Sequence, residues 1–355
     1  MIHVGIDQHK RFSVATSVDS ETGEVRTVRL YHDEPDRIRS YIRSLGPGAR
    51  VVLETTGNWY WLVDLIEEEG AEPHLANTIE ARRILKARAK NDRLDSMHLA
   101  MLDMDGILPE VYVPERPIRD ARERHRYRIR LIWMRCRIKN AIHAILAKLN
   151  INHNFSDLFG KRGRAFLDGL HLREPYETEL RSALRLLDAF DREVSLMRDE
   201  IRKALQGHPL AEVLQTAPGI GELTAYLILH EVGPVERFRG EKEFVKYCCL
   251  APGTWQSAER RRDLPIGRRG NLYLKAAFTE AAQVAVRCDE VLGAFYERLR
   301  RRKGTGKAMA AAARKLAVSV YYMLKRHKAY RPAASISRGS GKPVLRLGRR
   351  LETVA

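Results

Sequence analysis

The sequence predicts an α/β domain followed by a longer, basic and mostly helical region. In residues 1–113, short runs rich in β-branched residues alternate with helical runs. After Pro117, apolar residues recur instead at intervals of three and four. The charge changes over the same boundary, because residues 1–113 have 14 basic and 19 acidic residues whereas residues 114–355 have 49 and 26. A chain of 355 residues is long enough for two or three domains with separate cores.

The first region begins with three predicted strands. His3–Ile6 and Phe12–Val18 alternate or are continuously apolar, and Val25–Tyr31 alternates after a turn at Ser20–Gly23. The short connections between these runs indicate an antiparallel meander.

Helices and two further strands complete this region. Pro35 favours the first turn of a helix that reaches Ser44, before Gly46, Pro47 and Gly48. The remaining predicted elements are a strand at Arg50–Leu53, a helix at Trp59–Glu69, a strand at Glu72–Leu75 and a helical stretch from Ile79 to about Met104. This order matches an RNase H-like fold, in which three antiparallel strands precede two parallel strands.

Two long helices and a third helical region are predicted after Pro117. Their apolar seams have coiled-coil spacing and consist of Leu131, Met134, Ile138, Ile142, Ile145 and Leu149, then Leu180, Leu184, Leu187, Phe190, Val194, Met197, Ile201 and Leu205. A loop at Asn152–Gly169 joins the two helices, which favours an antiparallel pair or a dimerising arm. The predicted divisions are residues 1–113, 114–206 and 207–330, followed by a basic tail, 331–355, that we expect to be disordered without a polyanion.

Composition narrows the class of protein. No run of 18 apolar residues and no apolar signal-peptide core are present, so we expect a cytoplasmic or nucleoid-associated protein without a membrane partner. The four cysteines form no CxxC pair, which argues against a disulfide framework and a zinc site. The net charge of +18, concentrated after residue 113, favours nucleic acid as the partner.

Four carboxylates are candidates for a metal site. Asp7 and Glu54 follow the first and fourth predicted strands, which are neighbours in an RNase H-like sheet. Asp92 and Asp95 are three residues apart, a spacing that places them on one face of a helix. Carboxylates gathered at one sheet edge repel each other unless a cation neutralises them, and Mg²⁺ prefers oxygen ligands. The alternative is that all four are solvated loop or cap residues.

Several basic segments are candidates for phosphate contact. Residues 122–140 contain eight Lys or Arg and one Glu, and a second cluster precedes Asp92. A Pro218–Gly221 turn between two predicted helices resembles a helix-hairpin-helix, whose glycines allow backbone amides to approach a phosphate. A solvated helix face and a plain tight turn are the respective alternatives. The candidate nucleic-acid-binding residues here are Arg82, Arg83, Lys86, Arg88, Arg122, Arg126, Arg130, Arg137, Lys139, Gly219 and Gly221.

Ser257 is a candidate nucleophile because arginines surround it in the sequence. Guanidinium groups stabilise the charge that develops on a phosphodiester under attack. The arginines predicted to do so are Arg260, Arg261, Arg268 and Arg269. Most serines have no such role, and no Ser-His-Asp or G-x-S-x-G arrangement is present.

These motifs together resemble the DEDD transposases of the "one-ten" insertion-sequence family. The resemblance is carried by GIDQHK with Asp7, VLETTGNWYWLV with Glu54, KNDRLDSMHLA with Asp92 and Asp95, RIKNAIHAILA, and the late block LQTAPGIGELTAYLILHEVG through FVKYCCLAPGTWQSAERRRDLPIGRRGNLYLKAAF. It extends over roughly residues 3–325, with the motifs in the family's order.

The resemblance implies a RuvC-like RNase H-fold domain, a coiled-coil segment and a small helical transposase domain. It implies recombination of donor and target double-stranded DNA, guided by a structured non-coding bridge RNA, by a dimer or tetramer. Asp7, Glu54, Asp92 and Asp95 would hold Mg²⁺ (or Mn²⁺), and Ser257 would be the nucleophile. This sequence departs from the family with Cys249-Leu250 before Pro252 and Ala258 after the serine.

Three alternatives remain open on the sequence. One is a site-specific DNA invertase of the same family, and another is a RuvC-like nuclease or junction resolvase that needs no Ser257. The third is a non-catalytic nucleic-acid-binding derivative, which would bind DNA in a salt-sensitive way without cleaving it.

Overall fold

The computed structural model describes residues 1–55, 58–85, 92–257, 260–267 and 270–332; for residues 85, 92, 93, 254–257 and 260–266 it describes the backbone alone. The predicted basic tail from Arg331 therefore lies almost wholly outside the described residues. The chain divides into two compact units, Met1–Pro117 and a second that begins at Ile118.

The first unit is built on one mixed sheet. Its elements are β1 (Ile2–Gln8), β2 (Phe12–Asp19), β3 (Val25–Tyr31), α1 (Pro35–Ser44), β4 (Arg50–Glu54), α2 (Trp59–Glu68), β5 (Glu72–Ala76), α3 (Thr78–Leu85), α4 (Asp92–Met104) and β6 (Glu110–Val111). The strand order is β3-β2-β1-β4-β5-β6, and β4 runs parallel to both β1 and β5 while the other pairs are antiparallel. The five predicted strands and their order are confirmed, and β6 is an addition that is too short to leave a sequence pattern.

The two faces of this sheet have different coverings. One face buries Val4, Ile6 and Leu53 in a core shared with α1 and α2. The opposite face is covered by α4, which lies very close to β1. A Cβ on Gly5 would overlap the Ser96 carbonyl oxygen and lie 2.7 Å from the Ala100 nitrogen, so this contact requires glycine.

The second unit begins with two long helices, as predicted. Its helices start with α5 (Arg116–Lys148), whose first residues precede the division, α6 (Lys161–Gly169) and α7 (Tyr176–Leu205). Seam residues such as Ile142, Leu180 and Leu187 are buried in one cluster. Met134 is 48% exposed, so its predicted place in the seam is wrong. The predicted loop at Asn152–Gly169 also contains α6, whose single short apolar pair is too little to show helical periodicity.

The remainder of the second unit is helical apart from one hairpin. It comprises α8 (Pro209–Gln215), α9 (Glu222–Val232), a short 3₁₀ helix (Val235–Arg237), α10 (Glu241–Tyr247), β7 (Pro252–Ser257), β8 (Arg260–Ile266), α11 (Leu272–Cys288), α12 (Glu290–Lys303) and α13 (Thr305–Arg326). The largely helical region that the sequence predicts is confirmed, and the antiparallel β7–β8 hairpin is an element that the sequence did not predict. Among the described residues, no helix combines the length and apolarity needed to cross a membrane.

Candidate active site

Asp7 and Glu54 end two neighbouring parallel strands. The register pairs His3 of β1 with Arg50 of β4, and Gly5 with Val52. Side chains two residues apart on a strand lie on the same face of the sheet. Asp7 therefore lies on the same face as His3 and Gly5, and Glu54 lies on the same face as Arg50 and Val52. That face is the one covered by α4.

Helix α4 runs along this face in a direction fixed by polar contacts. Asp103, near its C-terminal end, accepts hydrogen bonds from Arg50 at 2.7 Å and lies 2.6 Å from His3 Nδ1. Burial alone would raise the pKa of Asp103, but the hydrogen bonds from Arg50 and His3 lower it below its usual value. The C-terminal end of α4 is therefore held at the start of β1 and β4.

The N-terminal half of α4 is held beside Gly5, two residues further along β1 than His3. Ser96 is wholly buried, and its hydroxyl lies 2.7 Å from that of Thr16, the β2 residue paired with Gly5. Since Asp103 contacts His3 and Ser96 contacts Gly5, the N-terminal turn of α4 extends toward the strand ends. Asp95 belongs to that turn, and Asp92 begins it, so both lie toward the ends that carry Asp7 and Glu54.

The carboxylates at this end are partly accessible. Asp7 is 17% exposed, and its Oδ2 lies 3.2 Å from His9 Nε2. Glu54 and Asp95 are half-buried. Among the side chains that the structure describes, which exclude Asp92, no group of three or more His, Cys, Asp or Glu is arranged around one metal position. The four predicted carboxylate ligands offer only oxygen donors, which suit Mg²⁺ or Mn²⁺. The His9 imidazole lies beside Asp7.

The basic cluster before α4 is described only in part. Arg82 and Arg83 lie on α3 and are exposed, and Arg83 donates a 2.9 Å hydrogen bond to Glu80. Lys86 and Arg88 lie outside the described residues.

Two arginines of the basic helix have partners inside the second unit. Arg122 is buried and donates to the carbonyl oxygens of His230, at 2.8 Å, and Glu231, at 2.9 Å. Arg126 forms a bidentate pair with the Glu231 carboxylate. These guanidinium groups hold α5 to α9, so the prediction that Arg122 and Arg126 contact phosphate is corrected. Arg130 and Arg137 are exposed, whereas the Lys139 ammonium lies 4.6 Å over the Phe159 ring.

The predicted glycine turn joins α8 to α9, but its two glycines differ. Gly219 has φ +84°, and a Cβ there would overlap the Ala281 carbonyl oxygen of α11. Gly221 precedes α9 with open space around it. Gly219 is therefore required by packing, and Gly221 is the residue beside which a phosphate has room.

Ser257 is the last residue of β7, directly opposite Arg260. The hairpin register also pairs Gln256 with Arg261 and Trp255 with Arg262. Arg268 and Arg269 lie outside the described residues. The backbone therefore brings a serine and a run of arginines to one end of a short hairpin, which a helical interpretation of this segment had not foreseen.

Sequence reasoning missed a buried polar cluster beneath this hairpin. Glu231 is wholly buried in α9, and Asn271 caps α11 by accepting a 3.0 Å hydrogen bond from the Leu274 amide. A single Glu within LTAYLILHEV and an Asn just before a helix were the available signals.

Comparisons with known proteins agree with this architecture. Residues 4–151 match a DEDD transposase family of the IS110 type, and residues 211–297 match the transposase IS116/IS110/IS902 family. The chain is 24% identical to a probable family 20 transposase of Pseudomonas aeruginosa over 93% of this chain and 98% of that protein. It is 24% identical to the transposase for insertion sequence element IS1328 of Yersinia enterocolitica, over 67% of this chain and 71% of the relative. An insertion element IS110 protein of Streptomyces coelicolor is 32% identical over 36% of this chain and 31% of its own length.

The mixed α/β first unit, its carboxylate-bearing strand ends and these matches define a DNA transposase, an enzyme of DNA recombination. The chain belongs to the IS110 family of DEDD transposases, which confirms the resemblance seen in the sequence. Such DEDD transposases generally use divalent metal ions.

Proposed function

We propose that this transposase cuts and rejoins double-stranded DNA through a covalent phosphoserine intermediate at Ser257. Two observations support the proposal: Ser257 is paired with Arg260 in the β7–β8 hairpin, and the first turn of α4 lies toward the sheet end at which β1 and β4 finish. We assign Asp7, Glu54, Asp92 and Asp95 to binding of a divalent cation, Mg²⁺ or Mn²⁺.

The bound cation would supply positive charge to the phosphodiester and help the serine hydroxyl lose its proton. The carboxylates would hold it: α4 carries two of them and lies against the face of the sheet that carries the other two. His9 lies against Asp7 and can orient that carboxylate. Asp103, which is tied to Arg50 and His3, fixes the other end of the helix without contacting DNA.

The serine step conserves the energy of the DNA bond. The Ser257 oxygen attacks phosphorus as its proton leaves, the bond to the leaving DNA oxygen breaks, and a free DNA hydroxyl is released. A hydroxyl of another DNA end then attacks the same phosphorus and displaces the serine. One phosphodiester is broken and one is formed, so no external energy source is needed.

The basic residues have two tasks in this scheme, one beside Ser257 and one elsewhere. Arg260 and Arg261, adjacent on β8, and Arg268 and Arg269 beyond it, would neutralise the phosphate under attack. The exposed cations elsewhere, which include Arg82, Arg130 and Arg137, would contact the DNA backbone.

Recognition of the DNA sequence is assigned to a guide RNA and not to a protein motif. The family resemblance and the basic surplus after residue 113 support a structured non-coding RNA as partner, and a homo-oligomer as the working form. Sequencing the RNA that copurifies when the gene is expressed with its flanking DNA tests this, and random host fragments would contradict it.

The serine mechanism is tested with a DNA substrate that traps the covalent adduct. Ser257→Ala should lose both the adduct and recombination while it keeps its DNA affinity. Ser17→Ala, in which the replaced serine lies on β2, is the control and should behave like the unaltered enzyme. If Ser257→Ala still cuts and joins DNA at the normal rate, the nuclease that uses the carboxylates alone replaces this mechanism.

A further inference from the structure

A wholly buried carboxylate lies at the centre of a polar cluster in the second unit. The two oxygens of Glu231 accept hydrogen bonds from Arg126 at 2.7 and 2.8 Å and from Asn271 Nδ2 at 2.6 Å. His125 Nε2 lies 3.0 Å from Glu231 Oε1. Burial alone would raise the pKa of Glu231, but His125 and Arg126 outweigh it and lower that pKa to about 2.

The cluster is connected to the end of the hairpin that follows β8. Asn271 comes five residues after Ile266, and its backbone amide donates a 2.6 Å hydrogen bond to the Tyr247 carbonyl oxygen. The Tyr247 hydroxyl in turn donates to the Glu231 carbonyl oxygen at 3.1 Å. Asn271, just after the hairpin, is therefore held directly by the Glu231 side chain and, through Tyr247, by the Glu231 backbone carbonyl.

The other end of the hairpin is fixed at the same place. Gly270 has φ +139°, and a Cβ there would overlap the Tyr247 carbonyl oxygen and lie 2.9 Å from Cys249 Sγ. Cys249 is buried three residues before β7, and its amide donates to the Lys246 carbonyl oxygen. Both ends of the hairpin thus meet at the end of α10.

Stability alone does not account for such a cluster. Replacing a buried ion pair by apolar residues of similar volume is often neutral or stabilising. A fully satisfied buried polar network also rigidifies its surroundings and specifies one geometry. Here the fixed object is the base of the hairpin that carries Ser257.

We propose that Glu231 and Asn271 are positioning residues that hold the β7–β8 hairpin in the orientation in which Ser257 attacks DNA. The inference rests on the proposed serine mechanism, and it assigns these residues no contact with DNA. Arg126 belongs to the same network as the charge partner of Glu231.

Two buried helix caps provide a matched test. Asn271 caps α11 and also donates to Glu231, whereas Asp289 caps α12 through the Leu292 amide and also accepts from the Tyr330 hydroxyl at 2.7 Å. Serine is a good N-cap residue, so Asn271→Ser and Asp289→Ser both keep the cap and lose the second partner. Only the first variant removes the direct hydrogen bond to the Glu231 side chain, together with a 3.3 Å contact from Asn271 Nδ2 to the Tyr247 hydroxyl.

Hydrogen–deuterium exchange of residues 252–266 is measured first, because it does not depend on catalysis. Asn271→Ser should exchange faster there than the unaltered enzyme, and Asp289→Ser should not. Adduct formation at saturating DNA should then slow by about 10- to 100-fold in Asn271→Ser alone, since small misplacements of a reacting group cost that much. DNA affinity should be unchanged in both variants.

The outcomes separate the two proposals. Unchanged exchange in Asn271→Ser, or an equal loss of adduct rate in both variants, would overturn the positioning role. A third outcome combines faster exchange in Asn271→Ser with normal recombination in Ser257→Ala. In that case the cluster would still support the hairpin, but the serine mechanism and the catalytic positioning that rests on it would both be wrong.

Discussion

Gly5 of β1 and Ser96 of α4 lie so close that any side chain on Gly5 would overlap the Ser96 carbonyl oxygen. This contact, with the Asp103–His3 contact further along, fixes where α4 lies on the sheet. It is therefore the packing feature on which the arrangement of the four carboxylates depends.

Gly5→Ala should displace α4 and weaken both the fold and the metal site. Overpacking usually costs about 1 to 3 kcal/mol, and we expect the upper end or more because the obstacle is backbone. Denaturant unfolding and metal-dependent cleavage measure the two effects. Gly306→Ala, at an open position of α13, should weaken neither and should stabilise the fold slightly, and normal cleavage by Gly5→Ala would contradict the assigned role of this contact.

Asp92→Asn should reduce cleavage and weaken metal binding while DNA binding is kept. The reason is that Asn retains one oxygen ligand but loses the negative charge that attracts a divalent cation. The Mn²⁺ concentration needed for half-maximal cleavage should rise. Asp105→Asn, just beyond α4, is the control, because Asp105 is exposed at the opposite end of that helix. An unchanged metal requirement in Asp92→Asn would remove this residue from the site.

The sequence predicted the parts of the first unit that local pattern determines. Strands β1 to β5 are runs of β-branched residues bounded by turns, and the spacing of Asp92 and Asp95 is a property of any helix. The close contact at Gly5 depends on Ser96, 91 positions further along the chain, and no local pattern shows it.

The features that the sequence did not predict have similar physical causes. Arg122 resembles any other arginine of its basic segment, and its burial depends on carbonyl groups more than 100 residues away. The β7–β8 hairpin was missed because residues 252–266 contain few apolar residues and many arginines. The sequence predicted Ser257 as a candidate nucleophile but did not predict the strand β7 on which it lies.

The stability of the second unit should fall as the pH is lowered from about 4.5 to about 2. The pKa of Glu231 is lowered from 4.5 in the unfolded chain to about 2 in the folded protein. The stabilisation from its charged form is therefore complete above pH 4.5 and is lost as the pH falls to about 2. Glu231→Gln should flatten this dependence and cost about 3 to 5 kcal/mol at neutral pH, since buried cations lose their partner. Thermal unfolding between pH 2 and pH 7 measures both. A Glu231→Gln profile parallel to that of the unaltered protein would contradict the assignment.

DNA affinity should fall steeply as salt rises, and the exposed cations of α5 should account for part of the slope. Each neutralised phosphate contributes about −0.9 to the slope of log K against log salt. Replacing Arg130 and Arg137 together by Gln should reduce the slope by about 2. Replacing Arg37 and Arg43 together by Gln is the control, because both are exposed, lie in the acidic first unit and, like Arg130, pair with a glutamate. A slope unaffected by the double change would place DNA elsewhere.

The most direct test of the serine mechanism is the identity of the residue joined to DNA. The unaltered enzyme is incubated with Mg²⁺ and a trapping DNA substrate, the adduct is digested with nuclease and protease, and the modified peptide is sequenced by mass spectrometry. We predict a phosphate ester on Ser257, the last residue of β7, and no such ester when the metal is chelated. A phosphate ester on any other residue, or DNA that is cut and rejoined with no covalent protein adduct, would contradict it.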